Sequence, residues 1–271
     1  MSEVQYNSNE QKINKALYAR SEILTRHTRR KEDDIFFCLP LIADAMGNKA
    51  NEKDRIGWHY LRDMFYKWLA GDANDVPQNN PNPFWVDIDW VLSYPQVYDD
   101  WLVAINEKVT NRLAKEQILQ ILEREGYFRE ETLFFDFTDA PWQEWERYYY
   151  QHVSVSSYWN YAEGIVASLG AFTFRFLPKG ILLYSQGIGY EVEITEVAGF
   201  VFDSFNFSED DNVLGLGFWS CEKKDISILP SSEYIHMTND KFNNFREYNK
   251  IGNDFLVLSK LKLIDITDKN S

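Results

Sequence analysis

Two pairs of polar residues in the chain have the types and spacing for chemistry. Asp87 and Asp89 stand in the run Phe84-Trp85-Val86-Asp87-Ile88-Asp89-Trp90-Val91-Leu92. Read as a strand over 84–92, the run puts Phe84, Val86, Ile88 and Trp90 on one face. Both carboxylates then share the other face, roughly 7 Å apart from the rise per residue. Such a pair can bind a divalent cation or exchange protons with a substrate; the same pattern also describes a plain solvated strand face. Asp203 and Asn206 lie inside the aromatic run Phe202-Asp203-Ser204-Phe205-Asn206-Phe207, ahead of the acidic stretch Ser208-Glu209-Asp210-Asp211-Asn212. Polar groups in that setting are either a candidate catalytic site or turn formers that bond the neighbouring backbone.

Other familiar chemistries are incompletely spelled. His27, His59, His152 and His236 show neither HExxH nor HxH spacing, so the sequence assigns no metal site. The serines stand outside any GxSxG elbow. Gly187-Ile188-Gly189 lacks the rest of a dinucleotide fingerprint and falls where a hairpin turn is expected, so the sequence identifies no cofactor. The two cysteines, Cys38 and Cys221, are far apart and have no CxxC partner. They are expected as buried, reduced thiols rather than a disulfide framework.

The elements that must hold these residues change character along the chain. Ile56, Tyr60, Leu61, Met64, Phe65, Trp68 and Leu69 recur at helical spacing, with Gly71 at the expected C-terminal cap. Asp72 to Pro83 is a Pro/Asn-rich loop. A second, long helix is expected over 97–125 on the stripe Val97, Trp101, Ile105, Val109, Leu113, Ile118, Ile121 and Leu122, with Gly126 ending it. Beyond residue 130 short β-branched and aromatic runs take over: 133–137, 148–155, 171–177, 181–184, 190–203, 214–219 and 255–263. Short helices are expected over 158–169 and 239–248. Helices first and strands later predict an α+β fold, an N-terminal helical part packed on a C-terminal, mostly antiparallel twisted sheet. The expected organisation is a polar N-terminal helix or arm over 1–35, a mainly helical part with one strand over 36–129, and a β-rich part over 130–271 forming one cooperative unit with it.

Charge and targeting bound the partners. The formal net charge of -14 argues against a generic nucleic-acid binder, which needs clustered cations, and suits a basic protein partner. The 45% hydrophobic and 16% aromatic content is too apolar for a disordered chain despite that charge. No run approaches the roughly 20 apolar residues of a spanning helix. Met1 to Asn14 is polar and has no signal-peptide pattern, so the expected location is the cytoplasm of the producing cell, with delivery elsewhere left to a dedicated secretion apparatus. The cationic run Arg26, Arg29, Arg30 and Lys31 is either a solvated face or a docking segment for such a machine.

Six segments carry a resemblance: Phe36-Phe37-Cys38-Leu39-Pro40, Asp87-Ile88-Asp89-Trp90-Val91-Leu92, Ser168-Leu169-Gly170-Ala171-Phe172-Thr173-Phe174, Val197-Ala198-Gly199-Phe200-Val201-Phe202-Asp203-Ser204-Phe205-Asn206-Phe207, Leu216-Gly217-Phe218-Trp219 and Gly252-Asn253-Asp254-Phe255-Leu256. In that order they resemble an uncharacterised bacterial family whose genes often accompany type VI secretion components. The resemblance implies a role in competition between bacteria: an antibacterial effector (toxin), or a cytoplasmic immunity protein or cargo adaptor binding a cognate toxin. A type VI secretion component or a cognate toxin or immunity protein is the implied partner. Within these segments, Leu-Gly-x-Phe-Thr-Phe from Leu169, a hairpin, and the Asp203-Ser204-Phe205-Asn206 sequence are similar to the catalytic domain of colicin M, which cleaves lipid II, the undecaprenyl-linked peptidoglycan precursor. That likeness puts Asp203 and Phe205 on the family's Asp and Tyr positions. Asn206 stands where that family has a second Asp, and no His-Arg pair follows, so the groups expected to help hydrolyse a pyrophosphate are missing.

Overall fold

A computed structural model describes residues 33–71, 82–155, 163–207, 216–227 and 229–266. The N-terminal stretch Gln11 to Lys31, most of the Pro/Asn-rich loop and the acidic stretch 208–212 lie outside the described residues. Helices α1 (Asp34–Lys49) and α2 (Glu52–Ala70) come first, then strand β1 (Phe84–Val86), α3 (Ile88–Val91), α4 (Pro95–Val103), a π-helical segment (Ala104–Lys108) and α5 (Arg112–Arg124). Strand β2 (Leu133–Asp136), a 3-10 turn (Trp142–Glu144), α6 (Trp145–Tyr148), β3 (Gln151–Val155), α7 (Gly164–Leu169) and the long strands β4 (Phe172–Ser185) and β5 (Gly189–Phe205) follow. Strands β6 (Phe218–Ser220), β7 (Asp225–Ser227) and β8 (Ile235–His236), helix α8 (Asn239–Asn249), and strands β9 (Phe255–Ser259) and β10 (Lys262–Asp265) complete the order. The fold is α+β, with helices concentrated in the N-terminal part and an antiparallel sheet in the C-terminal half.

The chain divides into two compact units, each assembled from three segments: Met1–Phe84 with Tyr158–Gly170 and Ser204–Leu256, and Trp85–Ser157 with Ala171–Asp203 and Val257–Ser271.

The first unit is built on α1 and α2. Asn51 caps α2, its side-chain oxygen accepting from the Asp54 amide at 3.0 Å. Asp54 in turn accepts from the Gly164 amide at 3.0 Å, which fixes the start of α7. The contact is close enough to require glycine: a methyl group on Gly164 would stand 2.1 Å from the Asp54 carbonyl oxygen. The core of the unit is aromatic. Phe207 stacks on Phe242 with ring centroids 3.7 Å apart, Phe36 on Phe245 at 4.2 Å, and Trp68 meets Phe207 and Phe242 edge-on at 5.3 and 5.4 Å. Such pairs add about 0.5–1.5 kcal/mol each beyond the area they bury. The C-terminal end of α2 is closed by a distant segment, since the amides of Gly252 and Asn253 donate to the carbonyls of Gly71 and Trp68 at 3.1 and 3.2 Å. Gly252 has φ +106°, and the Trp68 ring lies where a side chain would stand. Asp254 then accepts from the Trp68 indole at 3.2 Å and pairs with Arg246 at 2.7 Å. The Gly252-Asn253-Asp254 motif therefore closes a helix.

Cys38 on α1 and Cys221, in the turn between β6 and β7, form a disulfide with Cα atoms 5.6 Å apart. This corrects the expectation of reduced thiols. Their separation of 183 positions hides a pairing that only the packing of α1 beside β6 and β7 creates, and the Cα spacing falls at the modal value for a bridge.

The second unit holds the β2–β4, β3–β4, β4–β5 and β5–β10 pairs, all antiparallel. They belong to a seven-stranded sheet of order β1-β9-β5-β4-β2, with β3 also on β4 and β10 also on β5. Strand β4 is continuous over 14 residues, where the sequence suggests two runs broken at Pro178 and Gly180. The break is a bulge between Lys179 and Gly180, and the missing side chain of Gly180 lets the Glu193 carbonyl close in. Gly187-Ile188-Gly189 supplies the expected hairpin turn, with Ile188 donating to the Ser185 carbonyl at 3.0 Å. Helix packs on sheet at Trp101, whose ring lies against Phe174 and Phe176 and covers Gly199. The long helix expected over 97–125 is interrupted: the π-helical segment gives way to Asn111, whose side chain accepts from the Ala114 amide at 2.9 Å and donates to the Glu107 carbonyl at 3.0 Å. Two local bonds from one Asn restart the helix and re-aim its stripe.

Candidate functional site

Asp87 and Asp89 do not share a strand face. Strand β1 stops at Val86, Asp87 caps α3, and its carboxylate accepts from the Asp89 amide at 2.9 Å. A short Asp side chain bonding the backbone two residues on competes with the ladder, and here it wins. Asp89 points into solvent, 73% exposed, and its carboxylate takes the Lys262 ammonium at 2.6 Å. The cation beside it is thus supplied by the chain. Among the described residues no group of three or more His, Cys, Asp or Glu side chains is gathered to hold a metal ion.

Asp203 is half-buried near the end of β5, in the second unit. Asn206 lies in the first unit, exposed, and its side-chain amide donates to the Ser204 hydroxyl at 3.0 Å. Phe205, half-buried, packs edge-on to Phe65 and flat on Phe255, so the residue on the colicin M Tyr position makes aromatic packing contacts here. The Asn206–Ser204 bond joins two side chains and is not the side-chain to backbone turn bond that the sequence setting suggests.

The sheet of the second unit carries a more unusual group. On one face, Trp145, Leu177, Ala198, Phe200 and Leu258 form a buried cluster, with Trp142, Tyr148, Tyr149 and Phe202 half-buried around it. Arg175 stands on this face, in register with His152 of β3 and Phe200 of β5. Its guanidinium carbon lies 3.4 Å from the centre of the Phe202 ring and 4.4 Å from that of Tyr149. The Glu146 carboxylate pairs with Nη1, while Nε is buried with no hydrogen-bond partner among the described residues. A buried donor left unmet costs about 1–3 kcal/mol, so such a group in a folded protein calls for an explanation. Burial disfavours the cation and pulls the Arg175 pKa down to about 10, which still leaves it charged at neutral pH.

Further along the same sheet, Lys179 bridges Asp136 at 3.0 Å and Glu196 at 3.6 Å. Burial pushes the Asp136 carboxyl up, but bonds from the Thr138 hydroxyl and amide, together with Lys179, more than offset it and hold the group below its ordinary range. Those groups are fully engaged. Arg175 is the residue that sequence reasoning passed over, and its signal was present: it is the one charge in the strand run Phe172-Thr173-Phe174-Arg175-Phe176-Leu177.

A family model described as a family of unknown function, DUF6402, matches residues 58–232, more than half of the chain. The chain belongs to that family. The match spans Asp87, Asp89, Arg175, Asp203 and Asn206, and it carries no assigned activity with it. No curated protein and no solved structure matches the chain. No helix among the described residues is long and apolar enough to cross a membrane.

Proposed function

We propose that the protein is a type VI secretion-associated antibacterial effector that works in the oxidising envelope of a target cell. The observation that carries this reading is the Cys38–Cys221 disulfide. Disulfides persist in the bacterial periplasm and are kept reduced in the cytosol. A protein made in the cytosol and injected into a neighbour's periplasm would gain this bridge where it acts. A cytoplasmic immunity protein or a cargo adaptor would not. The resemblance of the six ordered segments to proteins encoded beside type VI secretion components supports the same context. The likeness to colicin M names a peptidoglycan precursor as the substrate to try first and Asp203 as the residue to test, with Asn206 as its neighbour in the motif.

The alternative, an immunity protein or adaptor binding a cognate toxin, draws its support from the net charge of -14, which would steer a basic partner. Expression in a susceptible bacterium separates the two. The effector reading expects growth arrest when the protein is exported with an added signal peptide and normal growth without one. Harmlessness in both compartments would remove the effector reading and leave the binding one. If Asp203→Ala keeps full toxicity, the colicin-like site is wrong even though the toxin stands.

A further inference from the structure

We propose that strand β2 is a docking edge for an extended, basic segment of a protein partner, which pairs with its outer side and covers Phe134. Strand β2 ends the seven-stranded sheet, so its outer side meets no further strand among the described residues. The register fixes which backbone groups that side presents. Phe137 donates its amide to the Pro178 carbonyl at 3.2 Å, and antiparallel pairing alternates bonded with unbonded pairs along a strand. Leu133 and Phe135 therefore turn their backbone groups toward β4, and Phe134 and Asp136 turn their N–H and C=O groups outward. An edge of that kind is a template for a strand from another chain.

The side chains say what kind of strand would fit. Phe134 is 80% exposed in the middle of β2. Its cross-strand neighbour is Ile181, and Leu183 shares the same face of β4, so the ring is part of an apolar strip. Trp145 and its neighbours cover that face as far as Leu177, and the strip emerges beyond the Lys179–Asp136 pair. The next strand brings Glu193 opposite Ile181 and Glu191 opposite Leu183, both exposed. Glu131, also exposed, precedes β2. Lys179 is the one cation on these rows, and Asp136 and Glu196 occupy it. This acidic border disfavours a second copy of the chain as the occupant, because like charges facing each other across paired strands destabilise. It favours a strand that sets an apolar residue over Phe134 and carries Lys or Arg beside it. The proposal stands on this surface alone and on neither reading of the function.

The test uses the full chain and a fluorescein-labelled synthetic peptide that alternates lysine with valine, with a glutamate–valine peptide as its control. Binding is read by fluorescence anisotropy, and docking by exchange of the Phe134 amide proton in a nitrogen-15 correlation spectrum. The lysine peptide is expected to bind and, at saturation, to slow exchange of the Phe134 amide about tenfold or more, since an outward N–H gains a carbonyl partner. Phe134→Ser, which opens the apolar strip but keeps the backbone, is expected to weaken binding about tenfold. Glu191→Lys/Glu193→Lys, two exposed charge reversals that leave the core alone, is expected to weaken it by a similar factor at low salt and to lose that difference at high salt. The far-ultraviolet circular dichroism of both variants should match wild type. Absence of binding at millimolar peptide, binding that leaves the Phe134 amide unprotected, or equal binding of the glutamate peptide would overturn the proposal. So would a wild-type dimer in sedimentation that Phe134→Ser dissolves, because a second copy would then be the occupant.

Discussion

Reducing the Cys38–Cys221 bridge is expected to destabilise the first unit severely. The cross-link spans 183 positions. In the chain-entropy treatment, closing a loop of that length removes about 18 cal/mol/K from the unfolded ensemble, or about 5 kcal/mol at room temperature. With a guanidinium m-value of roughly 5 kcal/mol/M for a chain of this size, the unfolding midpoint should fall by about 1 M. The probe is tryptophan fluorescence, because Trp58, Trp68 and Trp219 are all buried in this unit. Oxidised protein, the same protein in dithiothreitol, and the Cys38→Ser/Cys221→Ser double variant should be compared. The reduced protein and the double variant should agree with each other and lie below the oxidised form. Two reactive thiols per chain in protein purified from the periplasm and unfolded without reductant would refute the pairing. Identical midpoints with and without reductant would refute the energetic argument.

Gly164→Ala should cost about 3 kcal/mol, the upper end of the usual overpacking range, because the added methyl meets the Asp54 backbone carbonyl and neither side is a flexible chain end; thermal unfolding should show it as a loss of about 8 °C. Asp136→Asn tests the linkage of a depressed carboxyl. The folded-state pKa lies below the ordinary 3.8, so the ionised group contributes stability above that pH, and the contribution is lost as pH falls through the folded value. Wild type should therefore exceed Asp136→Asn in urea midpoint at pH 7, with the gap closing in strong acid; a gap that does not change with pH would contradict the assignment.

The helix over Glu52–Ala70 with its cap at Gly71, the hairpin at Gly187-Ile188-Gly189, the helix over Asn239–Asn249 and the α+β order could be read from the sequence because each rests on local information: apolar period, turn chemistry and capping residues. Where the reading failed, one side chain outweighed the period. Asp87 bonded the Asp89 amide and ended a strand that alternation alone would have continued to Leu92. Asn111 did the same inside the apolar stripe of 97–125. A continuous β4 was hidden because Pro178 and Gly180 spell a break, yet tertiary pairing absorbs them in a bulge. Phe205, in the motif that resembles colicin M, is half-buried and packs on Phe65 and Phe255, contacts that identity at a motif position does not reveal.

What only the tertiary structure decided is what depends on distant segments meeting. Cys38 and Cys221 have no spacing signal, and the bridge exists because α1 runs beside the β6–β7 turn. Gly252-Asn253-Asp254 reads as a loop and closes a helix that ended some 180 residues earlier. Arg175 is visible in the sequence as a lone charge in an apolar strand. That it lies against the Phe202 and Tyr149 rings and pairs with Glu146 follows from which segments pack beside β4, which no local pattern encodes. Local chemistry fixed where elements begin and end; the buried charge and the cross-link were set by which elements became neighbours.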